Sequence, residues 1–495
     1  MSNQLPSQSG WHQLHSHRQV QDTPLQEDAT LHLNDKNTWT GELPGDLRLV
    51  LHRLAKKDVD AYVVGPAVRD ALLNGNMDKV QRMDIVASSP HYGTVERCLD
   101  GVATEHLFLS RPERFRRSTA FTVQESSGGK PIRRYVITEI PNDGPLEEEL
   151  SKREVTVNAM ALNRDGVLFD PYDGLRDLVK QQIRPIMSPA IAFVQKPLNL
   201  LKVAKHVAYH GYDVEPETEE FALKHSVNVL DIPPERIRPE LERLLVNLYP
   251  DRGLDFLQRV KVLQYLLPEV QALVGFNETC RVHHKDIWDH TKKVVSKAKP
   301  VAPIRWAALF HDVGKVGTRS VEDDGTVHFF RHEDMSGYLF RGIAARLALD
   351  DRIAERIYFL VVNHSRVNMY SDEWTDSAVR RLIRETGEYL GDLLAVSRAD
   401  ITSRQERKVE ELTRLLDELA VRIEAIKQED AKQPLVPKGA GQIIMEHFSI
   451  PPSPLVGQLR DVLENALEEK RLAPDLPVEE YMPFLEDYIK SKGKQ

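Results

Sequence analysis

The pattern of hydrophobic and polar residues changes near residue 190, and the part before it alternates β and helical signals. LRLVLHRLAKK repeats apolar positions at the helical period, and AYVVG follows as a β-branched run that ends in glycine. AVRDALLNG predicts a second helix, with Gly75 as its C-cap, before the strand MDIVAS. RRYVITEI and VTVNAMALN predict further strands, and GVLFDPYDGLRDL closes the region with turn chemistry. This order predicts a mixed α/β fold.

The part after residue 190 follows the helical period almost to its end. Between Val409 and Ile426 the apolar residues are spaced by alternating steps of three and four, as at the a and d positions of a coiled coil. Because this seam is short, we expect the helix to pack on its own domain, with a dimerising coiled coil as the alternative. The predicted organisation is a disordered extension (1–45), an α/β head (46–187), a helical neck (188–270), a second helical domain (271–405), a long helix (406–430) and a linker with a small helical tail (431–495).

The predicted extension is polar and contains four histidines, which are His12, His15, His17 and His32. A metal-binding tail is therefore the alternative to a solvated one. No basic patch precedes an apolar core here, so no secretory signal is expected.

The composition excludes several classes of protein. Of the 495 residues, 41% are hydrophobic and 28% are charged, which is typical of soluble globular domains and not of collagen-like or wholly disordered chains. No apolar run reaches the length of a bilayer span, so no membrane partner is expected. With only Cys98 and Cys280, no disulfide-linked partner is expected and a cytoplasmic location fits best. The net charge of -9 means that any RNA must bind through local basic patches.

Histidine and aspartate residues are concentrated in the helical half. HHKDIWDHTKKVV and RWAALFHDVGK are followed by single histidines in FFRHE and VVNHS and by an aspartate in SRADITS. Imidazole nitrogen and carboxylate oxygen together form the ligand set of a divalent hydrolytic metal. The alternative is a chance His-Asp doublet among packed or surface histidines. The metal site is favoured because the doublet lies in a predicted apolar helix with further His-containing helices on both sides.

This arrangement resembles the HD-domain metal-dependent phosphohydrolases over about residues 275–405. The resemblance implies four core metal ligands, which are His290, His311, Asp312 and Asp400. It also implies that His332 and His364 support a second metal and that Lys315 steadies a phosphate. The expected cofactor is a divalent metal, which is Mg²⁺, Mn²⁺ or another transition metal, and the expected catalytic residues are His311, Asp312 and Lys315.

Six blocks in the front half and beyond it carry a second resemblance, and they are YVVGPAVRDALL, MDIVAS, LSKREVTVNAMALNRDG, FDPYDGLRDL, KPLNLLKVAKHVAYHGY and PPERIRPEL. In this order they resemble the tRNA nucleotidyltransferases and bacterial poly(A) polymerases, the CCA-adding family. The resemblance implies an α+β polymerase-β-like nucleotidyltransferase head followed by an all-α remainder that includes an HD domain. It implies RNA, and tRNA in particular, as the partner. It also implies a catalytic Asp84 and the nucleotide-binding residues Gly65, Arg69, Asp70, Arg153 and Asn158.

The sequence departs from that family's pattern at the expected metal site. The family has two acids that lie two residues apart on a strand and point to one face, and here they correspond to Arg82 and Asp84. An arginine repels the cation that the first acid would bind. Asp78 or Glu139 is a possible substitute for that acid.

Further departures affect nucleotide binding. Gly65-Pro66 replaces the family's Gly-Gly, so one backbone N–H that would face the triphosphate is missing. Residues 195–199, QKPLN, replace Glu-Asp-x-x-Arg, so bidentate pairing with the base is lost. Lys152-Arg153-Glu154 replaces Arg-Arg-Asp, which is a milder change. We therefore favour a head that keeps its fold but has an impaired transfer site.

The basic segment RPERFRR places Arg114, Arg116 and Arg117 around Phe115, which suits phosphate contact and base stacking, with a solvated loop as the alternative. Three functions remain open at this point. The favoured one is an HD phosphohydrolase that acts on RNA 3′ ends or 2′,3′-cyclic or related phosphate esters. The alternatives are an active CCA-adding or poly(A) enzyme with a rearranged site, which would use ATP or CTP, and a non-catalytic RNA-binding protein.

Overall fold

The computed structural model describes most of the chain, namely residues 31–77, 80–89, 93–100, 103–108, 117–123, 133–141, 144–276, 286–324, 326–403, 405–432, 436–469, 471–474 and 476–492. The chain divides into two compact units, Met1–Ser188 and Pro189–Gln495. The predicted α+β head and the largely helical remainder are both confirmed.

The first unit is built on a mixed sheet. Its strands are β1 Asp60–Val64, β2 Arg82–Ser89, β3 Ala103–Phe108, β4 Arg117–Val123, β5 Arg133–Pro141, β6 Ala161–Leu162, β7 Leu168–Phe169 and β8 Gln182–Ile183. Its helices are α1 Gly45–Ala55, α2 Pro66–Asn74, α3 Thr94–Leu99, α4 Leu146–Ser151 and α5 Gly174–Val179. One seven-stranded sheet has the order β3-β4-β5-β2-β1-β6-β7, in which β2 and β5 are parallel and the other neighbours are antiparallel.

The two faces of the central strands β2 and β5 have different neighbours. Successive side chains of a strand point to opposite faces, so the even-numbered residues of β2 and β5 share one face. On that face Val86 and Ile140 belong to a buried cluster with Leu150. On the other face the Tyr135 hydroxyl donates to Asp46 of α1 over 2.8 Å. Helix α1 therefore covers the face opposite to Asp84.

Most of the elements predicted from hydrophobic periodicity form where expected, and Gly75 ends α2 with φ 72° in the left-handed region that favours glycine. The prediction of a strand over VTVNAMALN is wrong. Residues Thr156–Asn158 form a 3₁₀ turn, and only Ala161–Leu162 pair in the sheet. The reason is that the polar side chains have interior partners, since Thr156 Oγ1 donates to Asp177 over 2.6 Å.

Part of the predicted disordered extension is ordered and packed on the first unit. Trp39 is 4% exposed, and its indole N–H donates to the Ala71 carbonyl at 3.1 Å. Thr38 forms a β-bridge with Val167. The segment is mostly polar, but burial of the large Trp39 side chain holds it on the first unit. His12, His15 and His17 lie outside the described residues.

The second unit is largely helical. Its helices are α6 Pro189–Gln195, α7 Asn199–His210, α8 Pro216–Lys224, α9 Pro234–Leu245, α10 Pro250–Arg259, α11 Leu263–Leu266, α12 Pro268–Gln271, α13 Ile287–Lys297, α14 Ala302–Phe310, α15 Lys315–Thr318, α16 His332–Arg346, α17 Asp351–Asn363, α18 Asp376–Thr386, α19 Leu390–Asp400, α20 Glu406–Lys432, α21 Ala440–Phe448, α22 Pro454–Glu468 and α23 Met482–Lys492. Its short strands are β9 Asp213–Val214, β10 Arg319–Val321 and β11 Val327–Phe329, of which the last two form a hairpin. Among the described residues, no helix has the length and apolar character that would let it cross a membrane.

The a/d seam lies on α20, which packs against α18 and α19 of its own unit. The second half of the seam is buried, with Leu416, Leu419, Ile423 and Ile426 each at most 3% exposed. This packing favours the interpretation of a helix that serves its own domain. The tail helices α21 to α23 form a separate apolar core around Ile444, Leu463 and Tyr481.

Candidate functional site

The six candidate metal ligands of the second unit come from five different helical elements. His290 lies on α13, His332 is the first residue of α16, and Asp400 is the last residue of α19. His311 and Asp312 directly follow α14, and His364 directly follows α17. The structure brings all six together, and two triads have one ligand atom each within 4.8 Å of the others, namely His290–His311–Asp312 and Asp312–His332–His364.

The sequence pattern predicted that the His311-Asp312 doublet lies inside an apolar helix. This prediction is wrong, because the doublet follows the end of α14. Helix α14 ends at Phe310, and the His311 Nδ1–H donates to the Ala308 carbonyl at 2.8 Å. The ring thus satisfies one of the carbonyls that a helix end leaves unpaired. In the following turn, Gly314 donates its N–H to Ser336 over 2.9 Å, and a Cβ there would meet the His332 carbonyl oxygen at 2.4 Å. The glycine therefore lets the turn approach α16 closely.

Backbone carbonyls fix the ring orientation of three of the four histidines. His311, His332 and His364 bring Nδ1 to within 2.8, 3.0 and 2.7 Å of the carbonyl three residues earlier. A carbonyl can only accept, so Nδ1 carries the hydrogen. In the neutral ring, the lone pair is then on Nε2, which faces Asp312 in all three cases. A backbone carbonyl that accepts from the other ring nitrogen orients an imidazole for metal binding.

Asp312 lies between the two pairs of histidines. Its Oδ2 is 3.4 Å from His290 Nε2 and 3.2 Å from His311 Nε2. Its Oδ1 is 3.5 Å from His332 Nε2 and 3.8 Å from His364 Nε2, and it accepts no hydrogen bond from the described residues. The residue is 1% exposed, so water does not compensate this oxygen. A carboxylate in this position fits two cations, one at each oxygen.

The charges of the cluster also suit a metal. Burial raises the pKa of Asp312, but His311 and Lys315 outweigh it and hold that pKa well below its usual range. Burial and the charge of His311 lower the pKa of His364 to about 4, so that its ring is neutral at pH 7. Burial lowers the pKa of His311, but Asp312 and Asp400 raise it to about 10. The His311 ring therefore carries positive charge at pH 7 beside the carboxylates of Asp312 and Asp400.

Lys315 contacts the cluster directly. Its ammonium lies 2.8 Å from Asp312 Oδ2 and 5.6 Å from the centre of the Phe329 ring, and its side chain is 13% exposed. In this position the ammonium neutralises the acid, and it is close enough to contact a phosphate bound beside Asp312.

Two residues of this site were missed in the sequence. Thr402 Oγ1 is 2.7 Å from His290 Nδ1, and the Asn368 amide donates to Asp400 Oδ2 over 3.4 Å. They orient two of the ligands. Thr402 lies only two residues after Asp400, which was the available signal, but the hydrophobic pattern does not distinguish it from a loop threonine.

The first unit presents a second candidate site around Asp84, where both carboxylate oxygens are held by arginines. Arg82 Nε donates to Oδ1 over 2.9 Å, and Arg153 Nη1 donates to Oδ2 over 3.2 Å. The side chain of Asp84 is 18% exposed. Both oxygens that would bind a cation are therefore engaged with guanidinium groups, and this residue set does not fit a two-metal site.

Of the two candidate substitutes for the missing acid, the structure describes Glu139. In the parallel register of β2 and β5, Asp84 pairs with Val136 and Ala87 pairs with Glu139. Because side chains alternate, Glu139 points to the face opposite to Asp84. Its Oε2 accepts the Gly93 N–H at 3.2 Å. Glu139 as a substitute acid is therefore a wrong prediction, and Asp78 lies outside the described residues.

The other predicted nucleotide-binding residues form a buried network. Arg69 donates to Asn158 Oδ1 over 2.6 Å and to Asp70 Oδ1 over 2.9 Å from Nε. These bonds tie α2 to the 3₁₀ turn. Gly65 precedes α2 with φ 79°, and a Cβ there would come within 3.2 Å of Arg153 Nη1. Glycine is thus required by the backbone, and it leaves space next to Arg153.

Comparisons with known proteins agree with this architecture. A family model described as the poly A polymerase head domain matches residues 61–184, and one described as a probable RNA and SrmB-binding site of polymerase A matches residues 211–273. The chain is 33% identical over 293 residues to a multifunctional CCA protein of Azoarcus sp., covering 58% of this chain and 69% of the relative. It is 29% identical over 420 residues to the A-adding tRNA nucleotidyltransferase of Deinococcus radiodurans, covering 82% of this chain and 91% of the relative.

The chain belongs to the tRNA nucleotidyltransferase/poly(A) polymerase family. Solved structures of CCA-adding enzymes share its fold. The Bacillus stearothermophilus enzyme in complex with CTP matches with a TM-score of 0.60 at 18% identity, covering 91% of this chain and 98% of that one. The Thermotoga maritima enzyme complexed with tRNA matches with a TM-score of 0.52 at 18% identity, covering 89% and 94%.

Within this family member, the departure from the base-selecting motif lies in the second unit. Gln195 ends α6 and Asn199 begins α7, with Lys196 exposed between them. The Asn199 side-chain amide donates to the Ala192 carbonyl over 3.3 Å, so a nearby backbone carbonyl occupies this donor. Arg114 and Arg116 of the predicted RNA contact lie outside the described residues. Arg117 begins β4, where its register partner is Glu139.

Proposed function

We propose that this family member is a metal-dependent phosphohydrolase whose active centre is the His/Asp cluster of the second unit. The observation that carries the proposal is the placement of Asp312, a buried acid whose two oxygens face two separate pairs of imidazole nitrogens. His290, His311 and Asp400 would complete one cation site, and His332 and His364 the other. Divalent cations held there would supply Lewis acidity and a reactive water at neutral pH.

The protein's own residues have distinct roles in this proposal. Asp312 would contribute a ligand to each of the two sites, and it stays ionised because His311 and Lys315 hold its pKa low. The Nδ1–H bonds of His311, His332 and His364 to backbone carbonyls keep the three rings aimed inward. Lys315 is placed to bind a phosphate oxygen and to balance the charge that develops on phosphorus oxygens.

Family membership points to RNA as the substrate class. The relatives are tRNA nucleotidyltransferases, and a family model with a probable RNA-binding description covers residues 211–273. We therefore infer that the hydrolysed bond is a phosphate ester at an RNA 3′ end, either a terminal phosphate or a 2′,3′-cyclic phosphate.

In the same proposal, nucleotidyl transfer at the head is impaired. Transfer needs two carboxylates that hold cations against the triphosphate. At the matching strand positions of the head, Arg82 and Asp84, there is one carboxylate, and Arg82 and Arg153 contact its two oxygens.

The test measures metal-dependent hydrolysis of bis-p-nitrophenyl phosphate, a 2′,3′-cyclic nucleotide and RNA with a 3′-terminal phosphate. His311→Ala and Asp312→Ala should abolish turnover, while Asp334→Ala, an exposed acid on α16, should not. Unchanged rates in the two cluster variants would overturn the proposal.

A second candidate function is nucleotide addition by a rearranged head. It is favoured by the similarity to the Deinococcus radiodurans A-adding enzyme, which extends over 91% of that relative. Incubation with labelled ATP or CTP and tRNA lacking its 3′ end decides between the two. Incorporation that is lost in Asp84→Ala would establish this function and show that the head is active.

A further inference from the structure

We propose that the head binds the polyphosphate chain of a nucleoside triphosphate without a divalent cation, because Arg82 takes the place of the metal. This inference rests on the proposed loss of transfer at Asp84. It goes further, because it assigns the altered pocket a ligand and a mode of binding.

The face of the sheet that carries Asp84 is rich in arginine. Arg82 and Arg134 are register partners on β2 and β5, so their side chains leave the sheet on the same face as Asp84. Arg153 reaches the same acid from the segment after α4. These three guanidinium groups outnumber the single carboxylate, so this group of four side chains is positively charged and attracts an anion.

A nearby lysine does not contribute a comparable charge. Lys152 is engaged by two acids of α4, with its ammonium 2.8 Å from Glu149 and 3.7 Å from Glu148. Arg82 and Arg153, in contrast, share the single carboxylate of Asp84 in the part of the head that the structure describes. The pocket is therefore built around guanidinium groups, which bind phosphate oxygens in a bidentate manner and remain charged at any physiological pH.

The group of side chains around Asp84 is accessible to a ligand. Arg82 is 63% exposed, so its guanidinium can leave Asp84 and turn toward an incoming phosphate. Gly65 has no side chain, and the position that a Cβ would take is 3.2 Å from Arg153 Nη1. A phosphate beside Gly65 would thus lie next to Arg153 and near the first turn of α2, whose dipole also favours an anion.

A cation would be disfavoured in the same place. Between a carboxylate and a triphosphate, Mg²⁺ neutralises both. Here the guanidinium of Arg82 already lies against Asp84 Oδ1 at 2.9 Å and supplies that neutralisation itself. The substitution therefore exchanges metal-dependent for metal-independent binding.

The experiment titrates ATP and inorganic tripolyphosphate into the full-length protein by calorimetry, once in EDTA and once in Mg²⁺, with no RNA present. The wild-type dissociation constants should differ by less than about threefold between the two buffers. Arg82→Asp should weaken binding in EDTA by roughly 10- to 100-fold, since it removes a charged hydrogen-bond donor, and should make the remaining binding dependent on Mg²⁺. Tripolyphosphate should displace ATP.

Arg48→Asp is the matched control. Arg48 has the same 63% exposure and also faces an acid, Glu42, but it lies on α1, on the other side of the sheet. It should bind like the wild type. Thermal unfolding of each variant shows that it is folded, which the exposure of both arginines favours.

Three results would overturn the inference: wild-type binding that disappears in EDTA, equal effects of Arg82→Asp and Arg48→Asp, or ATP that tripolyphosphate cannot displace. The labelled-nucleotide assay of the proposed function is read separately. ATP binding that requires Mg²⁺, without incorporation of labelled nucleotide, would contradict this inference alone. Incorporation of labelled nucleotide would show that the proposed impairment of the head is wrong.

Discussion

The buried Asp312 of the second unit and the half-buried Asp84 of the first unit differ in the groups that contact their oxygens. Oδ1 of Asp312 accepts no hydrogen bond from the described residues and faces two imidazole nitrogens at 3.5 and 3.8 Å, while Oδ2 lies 2.8 Å from the Lys315 ammonium. Both oxygens of Asp84 accept from guanidinium groups at 2.9 and 3.2 Å. Asp312 thus keeps one oxygen that faces only imidazole nitrogens, which can bind a cation, whereas both oxygens of Asp84 are engaged by guanidinium groups.

The difference shows that the ability of an acid to bind a metal depends more on the side chains that contact it than on the acid itself. Imidazole can lose its proton and bind a cation with a neutral nitrogen. Guanidinium cannot be deprotonated in a protein, so it competes with the cation permanently. Under the proposed function, retention of Asp84 alone is therefore not expected to preserve metal binding in the head.

The largest expected effect is that of Asp312→Ala. Because this acid serves both triads, its loss should remove both cations and reduce hydrolysis by well over roughly 100-fold, the upper range for residues that only support a ligand. Steady-state rates with a cyclic nucleotide measure it, and Asp334→Ala is the surface control. A variant with a tenth of wild-type activity would mean that Asp312 is not the bridging ligand.

The second prediction concerns the packing of the head. Trp39 is 4% exposed and anchors the segment before α1. Trp39→Ala should lower the free energy of unfolding of the first unit by about 3–5 kcal/mol, because it leaves a cavity and removes one of the two hydrogen bonds that the Ala71 carbonyl accepts. Urea denaturation followed by circular dichroism measures this. A loss below about 1 kcal/mol would indicate that residues 31–44 are loosely attached.

The third prediction tests how the ligands are oriented. Thr402→Val removes the hydroxyl 2.7 Å from His290 Nδ1 at nearly constant volume. Metal affinity should fall by roughly 10- to 100-fold, as when other residues that hydrogen-bond to a metal-binding histidine are lost. Thr402→Ser keeps the hydroxyl and should restore most of the affinity. If valine and serine behave alike, the contact does not position the ring.

The smallest expected effect is that of Asp84→Asn. It should leave hydrolysis within about twofold of the wild type and cost about 1 kcal/mol or less of stability, since Arg82 is mostly exposed to water. Hydrolysis rates and thermal unfolding measure both quantities. A tenfold loss of hydrolysis would show that the two sites cannot be separated in this way.

The sequence predicts this contrast only in part. Hydrophobic periodicity is enough for α1, β1, α2, β2 and β5, because their apolar residues repeat at the helical or strand period. It fails for VTVNAMALN, where interior partners for Thr156 and Asn158 override strand propensity. Hydrophobic periodicity also fails for residues 31–44, because burial of one residue, Trp39, holds this segment on the first unit.

The candidate sites show the same limit. Residue types and order are enough to select the six metal ligands, but the end of α14 before His311 depends on a side-chain hydrogen bond that no pattern encodes. Charge alone predicts that Arg82 repels a cation. The contact of Arg153 with Asp84, from 69 residues away, requires the three-dimensional fold.

The most direct test of the central contrast is a Mn²⁺ titration of the metal-free protein, followed by calorimetry or by the loss of the free-ion electron spin resonance signal. Wild-type protein and Asp84→Asn should each bind about two equivalents of Mn²⁺, and Asp312→Ala should bind none tightly. Tight Mn²⁺ binding that survives in Asp312→Ala and disappears in Asp84→Asn would contradict the account.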